Sequence, residues 1–122
     1  KLSGKNISEI PQTIRVFKNL ETLDLSNNKI SQIDNIDLSE FKKLYGLNLS
    51  GNLLNEIPRS ITGCKHLEEL LLSDNRITKI PFFLSSLSNL TTLNLSNNEI
   101  SVIDSIYLPH LTVLRLTKNN II

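Results

Sequence analysis

The chain has 122 residues, 39% of them hydrophobic and 5% aromatic, with no Trp or Met, and its 13 basic and 12 acidic side chains leave a net charge of +1. That length supports one domain with a modest core, and the near-neutral balance gives no general attraction to nucleic acid or to an anionic membrane. A single cysteine, Cys64, excludes an internal disulfide, and no apolar run approaches the roughly 20 residues that a membrane-crossing helix needs.

Residues 1–19 read as an irregular, partial unit with Leu2 and Ser3 at its start and Ile10-Pro11 in its second half. From Leu20 onward one pattern recurs in five copies, Leu-x-x-Leu-x-Leu-x-x-Asn-x-Ile or Leu. The first copy is Leu20, Leu23, Leu25, Asn28, Ile30, and the last is Leu111, Leu114, Leu116, Asn119, Ile121. The opening leucines fall at 20, 44, 67, 90 and 111, steps of 24, 23, 23 and 21 residues. A period of that size marks a stack of repeated layers, elongated rather than globular.

Within each copy, as in Thr22-Leu23-Asp24-Leu25-Ser26, apolar and polar residues alternate at period two, which predicts a short strand with one buried face. Copies in one orientation pair as a parallel sheet, each joined to the next by a crossover of about a dozen residues, right-handed by the general preference. Asn28, Asn52, Asn75, Asn98 and Asn119 then turn the chain. A buried carboxamide can satisfy the backbone of such a turn, so these side chains should stack as an internal ladder. Gln is too long for that place, and Leu would leave turn amides unpaired at about 1–3 kcal/mol each.

The return segments are of two types. Ile10-Pro11, Ile57-Pro58 and Ile80-Pro81 each precede a short helical turn, since proline suits a first turn whose N–H has no partner. Ile33-Asp34 and Ile103-Asp104 carry Asp instead, and the last return, with Pro109 before the next strand, is expected to run extended or as a turn. Phe17, Phe41, Cys64, Leu87 and Leu108 stand three residues ahead of each opening leucine, which makes Cys64 a small core residue rather than a reactive thiol.

These repeats resemble the leucine-rich repeat family over essentially the whole chain. The resemblance, to the class with about 23 residues per repeat, implies an α/β solenoid: a right-handed stack, parallel strands on the concave face, short helices or turns on the convex face, and protein recognition on the concave face. Two departures stand out. Lys5 occupies the place where the Asn ladder would begin, and neither end has the cysteine-rich cap of many extracellular members. The chain is therefore expected to be a single repeat domain, 1–122, within a longer protein, with open ends that expose apolar side chains and strand edges.

With Leu23 and Leu25 inward, the outward positions form three columns down the sheet. The first is Thr22, Gly46, Glu69, Thr92, Val113; the central one is Asp24, Asn48, Leu71, Asn94, Arg115; the third is Ser26, Ser50, Ser73, Ser96, Thr117. The third hardly varies and reads as a strand exit. The central column changes chemistry at nearly every step, as a tailored surface would, and nothing in the fold asks for an apolar side chain at Leu71. Tyr45 flanks the same sheet, and tyrosine is a favoured interface anchor. The candidate protein-binding residues are Glu21, Asp24, Tyr45, Asn48, Glu69, Leu71, Asn94 and Arg115: an acidic patch with an apolar centre, suited to a basic or polar protein segment. The alternative is that isolated surface apolars are ordinary and the charges merely solvate the face. Phe82 and Phe83 are a second candidate, with at least one facing solvent and packed against a neighbouring turn.

No catalytic, cofactor or metal set is predicted. His66 and His110 share a position two layers apart, about 10 Å at ~4.8 Å per layer, too far for one metal. No serine lies in a nucleophile turn, and Ser50-Gly51-Asn52 is the repeat turn rather than a phosphate loop. The glycosylation sequons at Asn6, Asn48, Asn89 and Asn94 are the accidental product of a repeat rich in Asn, Ser and Thr. The reading is a non-enzymatic protein-binding module, scaffold, adaptor or regulator, in the cytoplasm or in a host cell's cytosol if it belongs to a secreted bacterial effector. Its partner is another protein, with no nucleic acid, membrane or small-molecule substrate. Two alternatives stay open: the recognition arm of a larger enzyme or effector, and an extracellular receptor ectodomain.

Overall fold

The computed structural model describes residues 1–121. Seven short strands follow one another: β1 (Thr22–Asp24), β2 (Gly46–Asn48), β3 (Glu69–Leu71), β4 (Lys79–Ile80), β5 (Thr92–Asn94), β6 (Val102–Ile103) and β7 (Val113–Arg115). The five that carry the repeat pattern form one parallel sheet in the order β1-β2-β3-β5-β7, paired Thr22 with Gly46, Glu69, Thr92 and Val113 in turn. Each outward column expected from the sequence is therefore a true row of neighbours one layer apart.

Although each strand has three residues, the inter-layer pairing runs further. Leu25, Leu49, Leu72 and Leu95 each donate their N–H to the residue at the end of the next strand, all at 2.8 Å. The partial first unit joins in the same register, Leu2 donating to the Asp24 carbonyl at 2.8 Å and Gly4 to that of Ser26 at 3.0 Å. Behind the sheet lies a single continuous core of Leu and Ile, with Phe41 and Cys64 in it. Burial pushes the Cys64 thiol up to about 11, with the Asp37 carboxylate adding to the shift, so the thiol stays protonated at neutral pH.

The ladder is built as the spacing predicts. Asn52 Nδ2 donates to the carbonyls of Leu49 in its own layer and Leu25 in the preceding one, both at 3.0 Å, while its Oδ1 accepts from Ile30 N at 2.9 Å. Asn75, Asn98 and Asn119 repeat the arrangement. At the irregular end, Asn28 Oδ1 accepts from both Lys5 N and Ile7 N at 3.0 Å, and its Nδ2 donates to the Leu2 carbonyl at 2.9 Å. Lys5 can thus stand in the ladder column because Asn28, one layer on, serves its turn, and its own side chain is exposed.

Each ladder residue is preceded by one in the left-handed region: Gly4, Asn27, Gly51, Asp74, Asn97 and Lys118, with φ from 55° to 69°. Asn, Asp and Gly tolerate that conformation, and Lys118 is the costly member of the column. At Gly51 a Cβ would fall against the Asn27 side chain and 3.3 Å from its Cα.

On the opposite side the return segments close as 3₁₀ turns, Gln12–Val16, Leu38–Glu40, Arg59–Gly63 and Phe82–Ser86, not as α-helices, because a layer of this length leaves one short turn between ladder and next strand. Pro11, Pro58 and Pro81 stand just ahead of three of them; at Leu38–Glu40 Asp37 replaces proline and accepts from Ser39 N. The last return is extended, as expected: β6 pairs with β4 in a second, two-stranded sheet.

The column ahead of the opening leucines needs one correction. Phe41, Cys64 and Leu87 are buried and Leu108 partly so, but Phe17, in the first of the described layers, is 60% exposed. At the other end Leu114 is 46% exposed although its equivalents Leu70 and Leu93 are fully buried. Layer position, not residue type, decides burial.

Asn75→Leu, of nearly equal volume, should cost ~3 kcal/mol in chemical denaturation by orphaning Leu54 N and two buried carbonyls, and the same change at the half-exposed Asn119 should cost clearly less. Gly51→Ala should destabilise by about 1–2 kcal/mol, whereas Asn97→Gly at the equivalent position should be near neutral in the same assay.

Candidate functional site

The concave sheet presents its three columns on strands too short to flex independently. Asp24 Oδ1 accepts from Ser26 N at 3.0 Å and from Ser26 Oγ at 2.6 Å, Asn48 Oδ1 accepts from Ser50 N at 3.0 Å, and Asn94 Oδ1 accepts from Ser96 N at 3.0 Å. Three of the central-column residues thus cap the exit of their own strand. The variation that the sequence offers as tailored recognition is in part a structural requirement, met by any Asx residue two positions before the serine. The triplets Asp24-Leu25-Ser26, Asn48-Leu49-Ser50 and Asn94-Leu95-Ser96 carry that signal.

Leu71 breaks it. It follows Asn48 and precedes Asn94 in the same row, its side chain has no acceptor, and it is half-buried on the open face. Beside it the first column has a gap at Gly46, which is buried between Thr22 and Glu69; a Cβ there would meet Thr22 Cγ2 at 3.2 Å. The result is a shallow hollow of about 310 Å³ with Leu71, Asn48 and Leu47 in its wall and Asp24 and Glu69 at its margins. Lys1 reaches its edge, its Nζ 4.0 Å from Asp24 Oδ2, an exposed pair worth little.

Of the residues singled out in the sequence, Asp24, Asn48, Glu69 and Leu71 come together around this hollow. Glu21 and Tyr45 lie on the flank, where Tyr45 N donates to the Glu21 carbonyl at 2.8 Å and the ring stands 42% exposed. Asn94 and Arg115 sit on β5 and β7, outside it. Gly46 was visible as the lone glycine of its column, but its meaning as a notch depends on the side chains of the adjacent layers.

Burial raises the Asp24 carboxyl, yet the two Ser26 hydrogen bonds, helped by Lys1, outweigh it and hold the group below the usual carboxylate range. With Glu21 and Glu69 exposed alongside, acidic side chains line the rim. Among the described residues no three metal-ligating side chains converge. The arrangement suits binding: fixed rows of polar side chains, a notch, one apolar wall and an acidic rim.

Leu71→Asn should restore the missing cap on Ser73 N and raise stability by about 1 kcal/mol in urea unfolding. Because the folded Asp24 carboxyl titrates below its unfolded value, its contribution is complete above the ordinary Asp range of about 4 and fades as pH falls through the lowered value. Asp24→Asn, which keeps the cap, should therefore flatten the acid limb of the stability curve, a change readable by denaturation at stepped pH.

Residues 1–54 and 18–77 match a family model described as leucine rich repeat, and residues 65–102 and 88–122 match one described as leucine rich repeats in two copies. Comparison with curated proteins gives no match. Among solved structures, a leucine-rich repeat protein of Leptospira interrogans superposes with a TM-score of 0.90 at 32% identity, over 100% of this chain and 31% of that one. A chain of the BIR3–SERK2 complex of Arabidopsis thaliana gives 0.74 at 34% identity, over 98% of this chain and 66% of that one. The plant peptide hormone receptor RGFR1, in complex with RGF2, gives 0.72 at 32% identity, over 93% and 19%. The chain thus spans 31% of the Leptospira protein's length. With matches running from the first residue to the last and an Asn ladder linking every layer, this chain belongs to the leucine-rich repeat family.

Proposed function

We propose that this chain is a non-enzymatic protein-interaction module, a scaffold, adaptor or regulator, whose concave sheet binds a basic or polar segment of another protein. The observation that carries the reading is Leu71, an apolar side chain on the open face at a place where both adjacent rows hold a capping Asn. The strand exit at Ser73 goes without its cap there, so stability is given up at the one point where the sheet has a notch and an acidic rim. Binding on rigid strands loses little conformational entropy, and the contact area centres on Leu71 and the Gly46 notch, with Tyr45 as a flanking anchor and Glu21, Asp24 and Glu69 supplying charge. The structural neighbours support a polypeptide partner, since one is the BIR3–SERK2 complex and another a peptide hormone receptor in complex with RGF2.

We place the module in the cytoplasm, or in a host cell's cytosol if it is part of a secreted effector; a sole cysteine that is buried and protonated suits a reducing compartment. The likeness to a peptide hormone receptor favours a second reading, an extracellular ectodomain. Glycans on the exposed Asn6 or Asn89, detected by glycosidase shift of the protein from its own cells, would decide for it.

The test begins with affinity purification of the protein and mass spectrometry of what accompanies it. Leu71→Asn and the pair Tyr45→Ala/Leu71→Ala should then each weaken that complex by about tenfold or more, and Leu71→Asn should do so while gaining stability. Unchanged affinity in both would remove the concave-face reading.

A further inference from the structure

The return side carries a cluster that the concave site does not use. Arg59 and Phe82 follow Pro58 and Pro81 at the same repeat position, so the fold sets them side by side in adjacent layers. The Arg59 guanidinium carbon lies 5.8 Å from the Phe82 ring centroid and 5.1 Å from that of Phe83, and the two rings meet edge to face at 6.1 Å and 73°. Phe83 packs on the core while Phe82 is 60% exposed. A guanidinium resting on rings is held in place with its in-plane donors still free. Among the described residues no carboxylate lies within 4.0 Å of Arg59 or of its neighbour Lys65.

Two hollows border the rings. One, of about 510 Å³, contains the cations Arg59 and Lys79 and two carboxylates, Glu56 and Asp104; Asp104 is committed to Lys79 at 3.3 Å and to Phe82 N at 3.0 Å. The other, of about 490 Å³, has both phenylalanines in its wall, the cations of Arg59 and Lys65, the hydroxyls of Thr62, Ser85 and Ser86, and no carboxylate. Arg59 and both rings border the two hollows alike, but only the second joins them to a further cation, Lys65, with no carboxylate in its wall. We propose that the Arg59–Phe82–Phe83 cluster, through this carboxylate-free hollow, is a second docking site that takes an acidic protein segment bearing an apolar side chain. The apolar residue covers Phe82, and flanking Asp or Glu pairs with Arg59 and Lys65. Its polarity is opposite to that of the concave rim, so the two faces select different segments.

A random dodecapeptide display library panned on the protein, and in parallel on an Arg59→Glu/Phe82→Ala variant, tests this. Both side chains are exposed, and an unshifted thermal melt by circular dichroism checks that the variant is folded. Peptides retained by the protein and lost on the variant should be rich in Asp and Glu around a Leu or Phe. A synthetic representative should lose about tenfold or more in affinity on the variant and weaken with added salt. Basic peptides that bind the concave face should be unaffected, which keeps failure here separate from failure there. Finding no variant-sensitive peptides, finding only neutral ones, seeing inorganic phosphate alone displace them, or seeing self-association lost in the variant (the site then being filled by a second copy) would each overturn the proposal.

Discussion

A carboxamide in each layer after the first, buried in all but the last, holds this molecule together. A chain that turns sharply beneath its own sheet must bury peptide groups that have no partner within the turn, and every such group left bare costs about 1–3 kcal/mol. Asn solves the problem across two layers at once: Asn52 takes the carbonyls of Leu25 and Leu49 and serves the amide of Ile30. Because two of these three bonds go to the preceding layer, no layer is satisfied alone. The leucines obey the same logic, each covered by the layers before and after, so order spreads as in a one-dimensional array of neighbour-dependent units.

That dependence explains the ends. Phe17 and Leu114 belong to columns buried elsewhere, yet in the described residues they are 60% and 46% exposed, since each layer's burial depends on the layers beside it. The first unit departs from the pattern and is still integrated, with Leu2 and Gly4 continuing the inter-layer bonds and Asn28 accepting from the turn around Lys5. An irregular unit is tolerable because its neighbour supplies what it lacks.

The same neighbour relation constrains recognition. On the concave face the positions free to vary are partly recruited to close the strands, as Asp24, Asn48 and Asn94 show. Specificity is therefore read most clearly where a residue fails to do that work, at Leu71, and where a side chain is missing altogether, at Gly46. On the return side the position after proline carries no such duty, and chemistry there can change from Gln12 to Arg59 to Phe82 without touching the core.

Much was legible from the amino acids alone. Periodic leucines, alternation and a recurring Asn determined the solenoid, the parallel register, the ladder and the burial of Cys64, because those features repeat at fixed spacing and the physics of each layer is the same. The sequence also pointed to the concave face as the proposed binding surface and to Leu71 as its anomaly. Only the tertiary structure decided which outward side chains are spoken for by strand caps, that Asp24, Asn48, Glu69 and Leu71 gather around a notch while Asn94 and Arg115 fall outside it, and that Phe82 is open and lies beside Arg59. These depend on contacts between residues of different layers and on which layers have two neighbours, and a one-dimensional pattern records spacing but not what fills the space between.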